Sequence, residues 1–165
     1  MTTEDRRAPA PDSGAPYMEN NDRLDLPESE WRARLGHDEF RVLRREATER
    51  PFTSTLNRER RSGVFLCAGC GAELFRSDAK FESGTGWPSF FEPIAGAVDT
   101  KRDFKLIVPR TEYHCSRCGG HQGHVFSDGP APTGLRYCNN GVALRFRPAP
   151  GSDRETRPNT PGRED

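Results

Sequence analysis

Hydrophobic positions fall into two textures along the chain. Between residues 28 and 46 they recur at helical spacing. Trp31 and Leu35 are four apart and Phe40 and Leu43 three apart, so each pair shares a helix face. Gly36 lies between the pairs and predicts two short helices, and Pro51 is expected to end the helical region. From Gly63 onward the apolar runs are short and cut by Gly, Pro, Asp and Ser. Val64–Leu66, Trp87–Phe91, Lys105–Val108, Val125–Phe126, Leu135–Cys138 and Val142–Phe146 read as strands. Helical pieces followed by many short strands predict a mainly β domain. It would be mainly antiparallel, an all-β sandwich or barrel around a small core, beneath a helical N-terminal cover.

The two ends lack this patterning. Residues 1–22 contain Pro9, Pro11 and Pro16 and almost no large aliphatics. Residues 148–165 contain Pro148, Pro150, Pro158 and Pro161, with charges and no aromatic. Such segments bury too little surface to offset the entropy of ordering. Disordered tails are therefore expected at 1–22 and 148–165, around a folded domain at 24–147. An apolar share of 32% against 30% charged residues fits a small core with unpatterned ends.

Lys and Arg total 25 and Asp and Glu total 25. This balance argues against a protein that holds nucleic acid by bulk positive charge, and the arginine-rich runs at 41–45 and 58–61 read as solvated faces. No apolar stretch approaches the roughly 18 residues a membrane helix needs. Met1 to Gly14 has no apolar signal-peptide core. The expectation is a cytoplasmic monomer with neither membrane nor nucleic acid as partner.

Five cysteines carry the strongest chemical signal. Cys67-Ala-Gly-Cys70-Gly and Cys115-Ser-Arg-Cys118-Gly are two C-x-x-C-G knuckles. Two residues between thiolates let one turn aim both sulfurs at a tetrahedral ion, and the following glycine lets the backbone curl beneath them. Two knuckles supply four thiolates, a closed structural zinc site. Residues 71–114 separate them, more than the roughly 15–20 of an ordinary zinc ribbon. The ion would therefore tie together distant parts of the domain. A redox C-x-x-C would not normally occur twice, and disulfides are disfavoured in a cytoplasmic chain.

Cys138 is left over. A lone cysteine is commonly a small buried hydrophobe. In an extended strand, however, Arg136 and Asn140 project to its face, and a neighbouring cation favours the reactive thiolate. His121, His124 and Asp128 precede it closely enough to share a pocket. A histidine can carry a proton near neutral pH and an aspartate can orient it. His121-x-x-His124 as a metal pair, or as two structural histidines, stays open at this level, as does Trp87 as a core residue.

Three longer segments resemble the peptide methionine-R-sulfoxide reductases, the B-type family. They are Gly84-Thr85-Gly86-Trp87-Pro88-Ser89-Phe90, His121-Gln122-Gly123-His124-Val125-Phe126-Ser127-Asp128-Gly129-Pro130 and Arg136-Tyr137-Cys138-Asn139-Asn140. Thr48-Glu49-Arg50-Pro51-Phe52 also matches, and the likeness spans about residues 28–147. It implies two antiparallel sheets with short N-terminal helices. Cys138 would attack the sulfoxide sulfur, with Arg136 and Asn140 as pocket companions. His124, with His121 and Asp128 nearby, would supply the proton for the departing oxygen. Trp87 would receive the S-methyl group, with Phe126 beside it in the substrate pocket. Cys67, Cys70, Cys115 and Cys118 would hold one zinc ion, with no organic cofactor.

Fixing methyl and oxygen on different walls leaves one epimer able to present sulfur to Cys138, in keeping with one enzyme per sulfoxide epimer. Many family members carry a resolving cysteine before the tryptophan. Glu82-Ser83-Gly84-Thr85-Gly86 has none, so the expected cycle uses one cysteine. Its sulfenic acid would be reduced by a thioredoxin-like protein or other external thiol, and its substrates would be oxidised proteins. A non-catalytic zinc-stapled domain would share the knuckles but would not need Cys138, Arg136 and the histidine pair together.

Overall fold

The computed structural model describes residues 23–152, so the tail expected at 1–22 and residues 153–165 of the tail expected at 148–165 fall outside the described residues. The helical stretch divides at Gly36 into α1 (Glu28–Arg34) and α2 (His37–Arg45). Acidic residues open each helix and basic residues close it, complementing the helix dipole. The stop comes before Pro51. Glu46 takes the left-handed conformation at φ 57°, and the Ala47 N–H donates to the Arg41 carbonyl at 3.0 Å. Leu35 caps α1 instead of extending its apolar face, while Trp31, Phe40, Val42 and Leu43 are buried.

Nine strands follow: β1 (Gly63–Cys67), β2 (Glu73–Arg76), β3 (Lys80–Phe81), β4 (Ser89–Phe90), β5 (Val98–Asp103), β6 (Arg110–Cys115), β7 (His121–Phe126), β8 (Arg136–Asn139) and β9 (Leu144–Pro148). They form a three-stranded sheet, β2-β1-β9, and a six-stranded sheet, β3-β4-β8-β7-β6-β5, with every pairing antiparallel. The architecture is mainly β, as the strand pattern predicts, and has the two antiparallel sheets and short N-terminal helices that the family resemblance implies.

Period-two alternation gives the large sheet two unlike faces. One face sends Phe90, Tyr113, Tyr137 and Asn139 towards the small sheet, whose Phe65, Leu74 and Phe75 are fully buried. Phe75 stacks on Phe90 at 4.1 Å between centroids, Phe65 meets Phe90 edge-on at 4.9 Å, and Tyr113 meets Tyr137 at 5.3 Å. Such pairs add about 0.5–1.5 kcal/mol each beyond the area they bury. The Tyr113 hydroxyl donates to Asn139 Oδ1 at 2.6 Å, so this polar pair enters the core satisfied.

Some strand expectations need correction. Lys105–Val108 is an exposed turn, because Asp103 Oδ1 accepts the Lys105 N–H at 2.9 Å and folds the β5–β6 connection over. The run at Trp87–Phe91 is a strand only at Ser89–Phe90, and Val142–Phe146 begins with a 3-10 turn before β9. β5 and β6 escape the hydrophobic pattern. β5 is a charged edge strand, a common defence of an open sheet edge, and β6 buries Glu112 where an apolar residue is expected. The expected boundary at 147 also falls inside a strand. Pro148 pairs with Gly63, and the Ala149 N–H donates to the Ser62 carbonyl at 2.8 Å.

Phe75 joins the two sheets through Phe90, Tyr113 and Tyr137. Phe75→Ala is expected to cost about 3–5 kcal/mol, measured as a lowered denaturant midpoint.

Candidate functional site

The knuckles close the ends of two hairpins. Cys67 ends β1 and Cys70 lies in the turn to β2; Cys115 ends β6 and Cys118 lies in the turn to β7. Their four sulfurs converge, with Cys67 and Cys118 at 3.6 Å and Cys70 and Cys115 at 3.6 Å. A tetrahedron with Zn–S bonds near 2.3 Å has sulfur–sulfur edges of about 3.8 Å, so the cluster fits one zinc ion. Gly120 N–H donates to Cys118 Sγ at 3.3 Å and Gln122 Nε2 to Cys67 Sγ at 3.4 Å, which favours thiolates. Hydrogen bonds among the sulfurs push the Cys67 thiol up and the Cys70 thiol down. A divalent ion is what lets all four be thiolates together. All five cysteines lack a disulfide partner, and Cys138 stands outside the cluster.

Cys138 lies in a cross-strand row on the face of the large sheet away from the aromatic core. Its partner on β4 is Ser89 and on β7 is His124; His124 opposes Glu112 on β6, and Glu112 opposes Lys101 on β5. Directly opposed residues share a face with Cβ atoms about 4.5–5.5 Å apart. Gly123 permits this pairing, since a Cβ there would sit 1.8 Å from the Cys138 carbonyl oxygen. Two residues along the same face, Arg136 opposes Phe126, with its guanidinium 4.3 Å from the ring centroid. Trp87 enters just before β4, and its indole N–H donates to the Glu49 carbonyl at 3.1 Å. The register therefore brings Cys138, His124, Arg136 and Phe126 together, with Trp87 at the β4 end.

Other expected members are placed differently. Asp128 orients neither histidine; it pairs with Arg136 at 2.9 and 3.2 Å. The carboxylate on His124 is Asp103, whose Oδ2 lies 2.9 Å from Nε2. Arg110 holds the same oxygen at 3.1 Å. The Lys105 backbone N–H, then His124, keep the Asp103 carboxyl well below its usual range. Asn140 lies beyond β8 and is buried. Its Nδ2 donates to the Gln122 carbonyl at 3.0 Å and its Oδ1 accepts the Glu49 N–H at 3.0 Å, so its side chain ties the segment after α2 to β7. His121 neighbours His124 with ring centroids 5.6 Å apart, but it is 1% exposed. Burial, then the nearby imidazoles, push it down to about 3, so at neutral pH it is a neutral ring.

The expected activation of Cys138 by Arg136 is outweighed in the ligand-free site. Burial pushes the thiol up, while Arg136 and Thr85 pull it down and the Glu49 carboxyl adds to the rise. Glu49 is a participant that the side-chain patterns missed, although it lies in the Thr48–Phe52 segment. Its carboxyl accepts the Gly141 N–H, and burial pushes it up to about 7. Gly86, at φ 92°, lets this segment dock, because a Cβ there would lie 2.7 Å from Pro51 Cβ. Asp103 lay outside every motif, and its charged strand gave no sign of a role.

Fold and site together define a zinc-clamped, two-sheet thiol protein. Residues 35–148 match the SelR domain, and the chain belongs to that family. It is 48% identical over 128 residues to the peptide methionine sulfoxide reductase MsrB of Leptospira interrogans, covering 77% of this chain and 98% of that protein. It is 54% identical over 125 residues to the protein of the same name from Methanosarcina barkeri, covering 75% and 88%. A crystal structure of the Mis18 'Yippee-like' domain aligns at TM-score 0.41 with 19% identity, over 53% of this chain and 97% of that chain, a likeness too slight to inform the site.

Cys118→Ser is expected to lose the zinc, measured by metal content, and with it cooperative unfolding, because ion binding is coupled to folding. Cys138 alkylation should rise with pH through a midpoint above that of an ordinary thiol, because the burial that lifts its pKa outweighs Arg136. Glu49→Gln removes a charge that opposes the thiolate and should move that midpoint down.

Proposed function

We propose that the chain is a peptide methionine-R-sulfoxide reductase acting on oxidised proteins. The observation that carries this reading is Cys138, free of the zinc cluster and directly opposite His124, in a chain about half identical to reductases of that name. Cys138 attacks the sulfoxide sulfur. His124, held against Asp103, protonates the sulfoxide oxygen. The oxygen passes to the cysteine, leaving methionine and a Cys138 sulfenic acid. Two equivalents of an external thiol then return Cys138 to the thiol and yield a disulfide and water.

Arg136 shifts Cys138 towards thiolate as the reaction demands it, and Asp128 and Phe126 fix that guanidinium in place. Neutral His121 packs beside His124 and shapes the pocket. Trp87 takes the S-methyl group against its indole, a favourable sulfur–aromatic contact. The zinc ion, held by Cys67, Cys70, Cys115 and Cys118, supplies structural cohesion. The count of five cysteines, four of which converge in the cluster, supports an external reductant, thioredoxin-like or otherwise. The chain acts as a monomer. Among the described residues no helix is long and apolar enough to cross a membrane.

With dithiothreitol and separated epimers, the protein should consume the R epimer alone, and Cys138→Ser should lower the rate by at least about a thousandfold. Equal consumption of both epimers, or an active Cys138→Ser variant, would refute the proposal. Mass spectrometry after one turnover without reductant should find an added oxygen on Cys138; a disulfide to a knuckle cysteine would refute the one-cysteine cycle.

A further inference from the structure

The sheet face that carries Cys138 continues past His124 into a second group of donors. Glu112 and His114 alternate onto that face from β6, and the β6–β7 bulge sets His121 against His114. We propose that Glu112, His114 and His121 form a binding site for a first-row transition cation such as Zn2+, distinct from the four-cysteine cluster, and that its occupation switches the reductase off. The switching half rests on the reductase reading; the binding half does not.

The geometry is that of a ligand set. Glu112 Oε2 lies 3.5 Å from His121 Nδ1, and Glu112 Oε1 lies 3.9 Å from His114 Nε2. One donor atom from each of the three residues lies within 4.8 Å of the others. Donors about 2.0–2.2 Å from a tetrahedral zinc are separated by roughly 3.3–3.6 Å, so closure needs small side-chain shifts. Two imidazoles and a carboxylate suit zinc, nickel, cobalt or iron(II) better than calcium or magnesium.

Both ring nitrogens of His121 and Glu112 Oε2 are buried without a hydrogen-bond partner. Buried polar atoms in folded proteins are almost always paired, and each orphan costs about 1–3 kcal/mol. A cation would satisfy several at once. A cavity of about 390 Å³, lined by Glu46, Lys101, His114 and His121, gives access from the surface.

The site already attracts positive charge. Lys101 Nζ lies 3.0 Å from Glu46 and 3.1 Å from Glu112. Its side chain is 56% exposed, so it can swing into solvent and yield to an ion. Lys101 is thus a built-in competitor that weakens the site. Ligation would engage His121, whose ring lies beside His124, and place a divalent charge next to the proton donor.

The test is a calorimetric titration of ZnCl2 into the full chain with its cysteine cluster loaded, in thiol-free buffer, in a Cys138→Ser background that removes the free thiol. One further ion per chain is expected. His114→Ala should weaken it at least about tenfold, as should Glu112→Gln if its circular dichroism is unchanged, and Lys101→Ala should tighten it. In single-turnover reduction by pre-reduced protein with Cys138 intact, zinc should suppress methionine formation, and His114→Ala should keep basal turnover but resist zinc. No further ion, or an ion bound equally by His114→Ala, would overturn the site. Binding without loss of turnover would overturn the switch. A chain that turns over neither epimer without zinc refutes the reductase reading instead, and the calorimetry still decides the site.

Discussion

The four-sulfur cluster is the constraint on which the rest of this structure depends. The end of β1 and its turn belong to the small sheet, and the end of β6 and its turn belong to the large one. One ion between them replaces contacts that a small core would otherwise have to supply. It also fixes where β7 begins, because His121 follows Cys118 by three residues and Gly120 N–H is spent on the Cys118 sulfur. The bulge between Tyr113 and His114 absorbs the mismatch before regular pairing resumes at Gly123. A β7 displaced by one residue would turn His124 into the aromatic core and take it away from Cys138.

Given that register, the two faces of the large sheet divide the work. The inner face stacks aromatic rings and satisfies its buried polar groups internally, Tyr113 with Asn139 and Asn139 with Gln122. The outer face collects Ser89, Cys138, His124, Glu112 and Lys101 in a single row across five strands. A row of cross-strand pairs is rigid, since each member but Lys101 on the edge strand β5 is fixed by two neighbouring ladders. It holds a thiol and an imidazole in fixed relation without a loop to order, at the cost of burying polar groups that would be better solvated outside.

Burial also sets the chemical character of the row. It holds the Cys138 thiol neutral despite the nearby guanidinium, and it keeps His121 neutral. It lifts the Glu49 carboxyl to about 7. His124 instead has Asp103 beside it, a carboxylate fixed by Arg110 and the Lys105 amide. Perturbed groups gathered around Cys138 mark a functional region.

Elements whose chemistry is local could be read along the chain. The C-x-x-C-G knuckles, the split at Gly36, the leftover Cys138 and the mainly β texture all follow from turn geometry, helix spacing or counting. Tertiary structure decided what depends on which strands lie side by side. It gave His124 the carboxylate of Asp103, from a charged edge strand with no apolar signature, and sent the nearer Asp128 to Arg136. It turned Asn140 into a brace and drew Glu49 to Gly141 across the chain. It also decided that desolvation outweighs the arginine at Cys138. Burial and long-range pairing are properties of the assembled sheet, and no spacing along the chain encodes them.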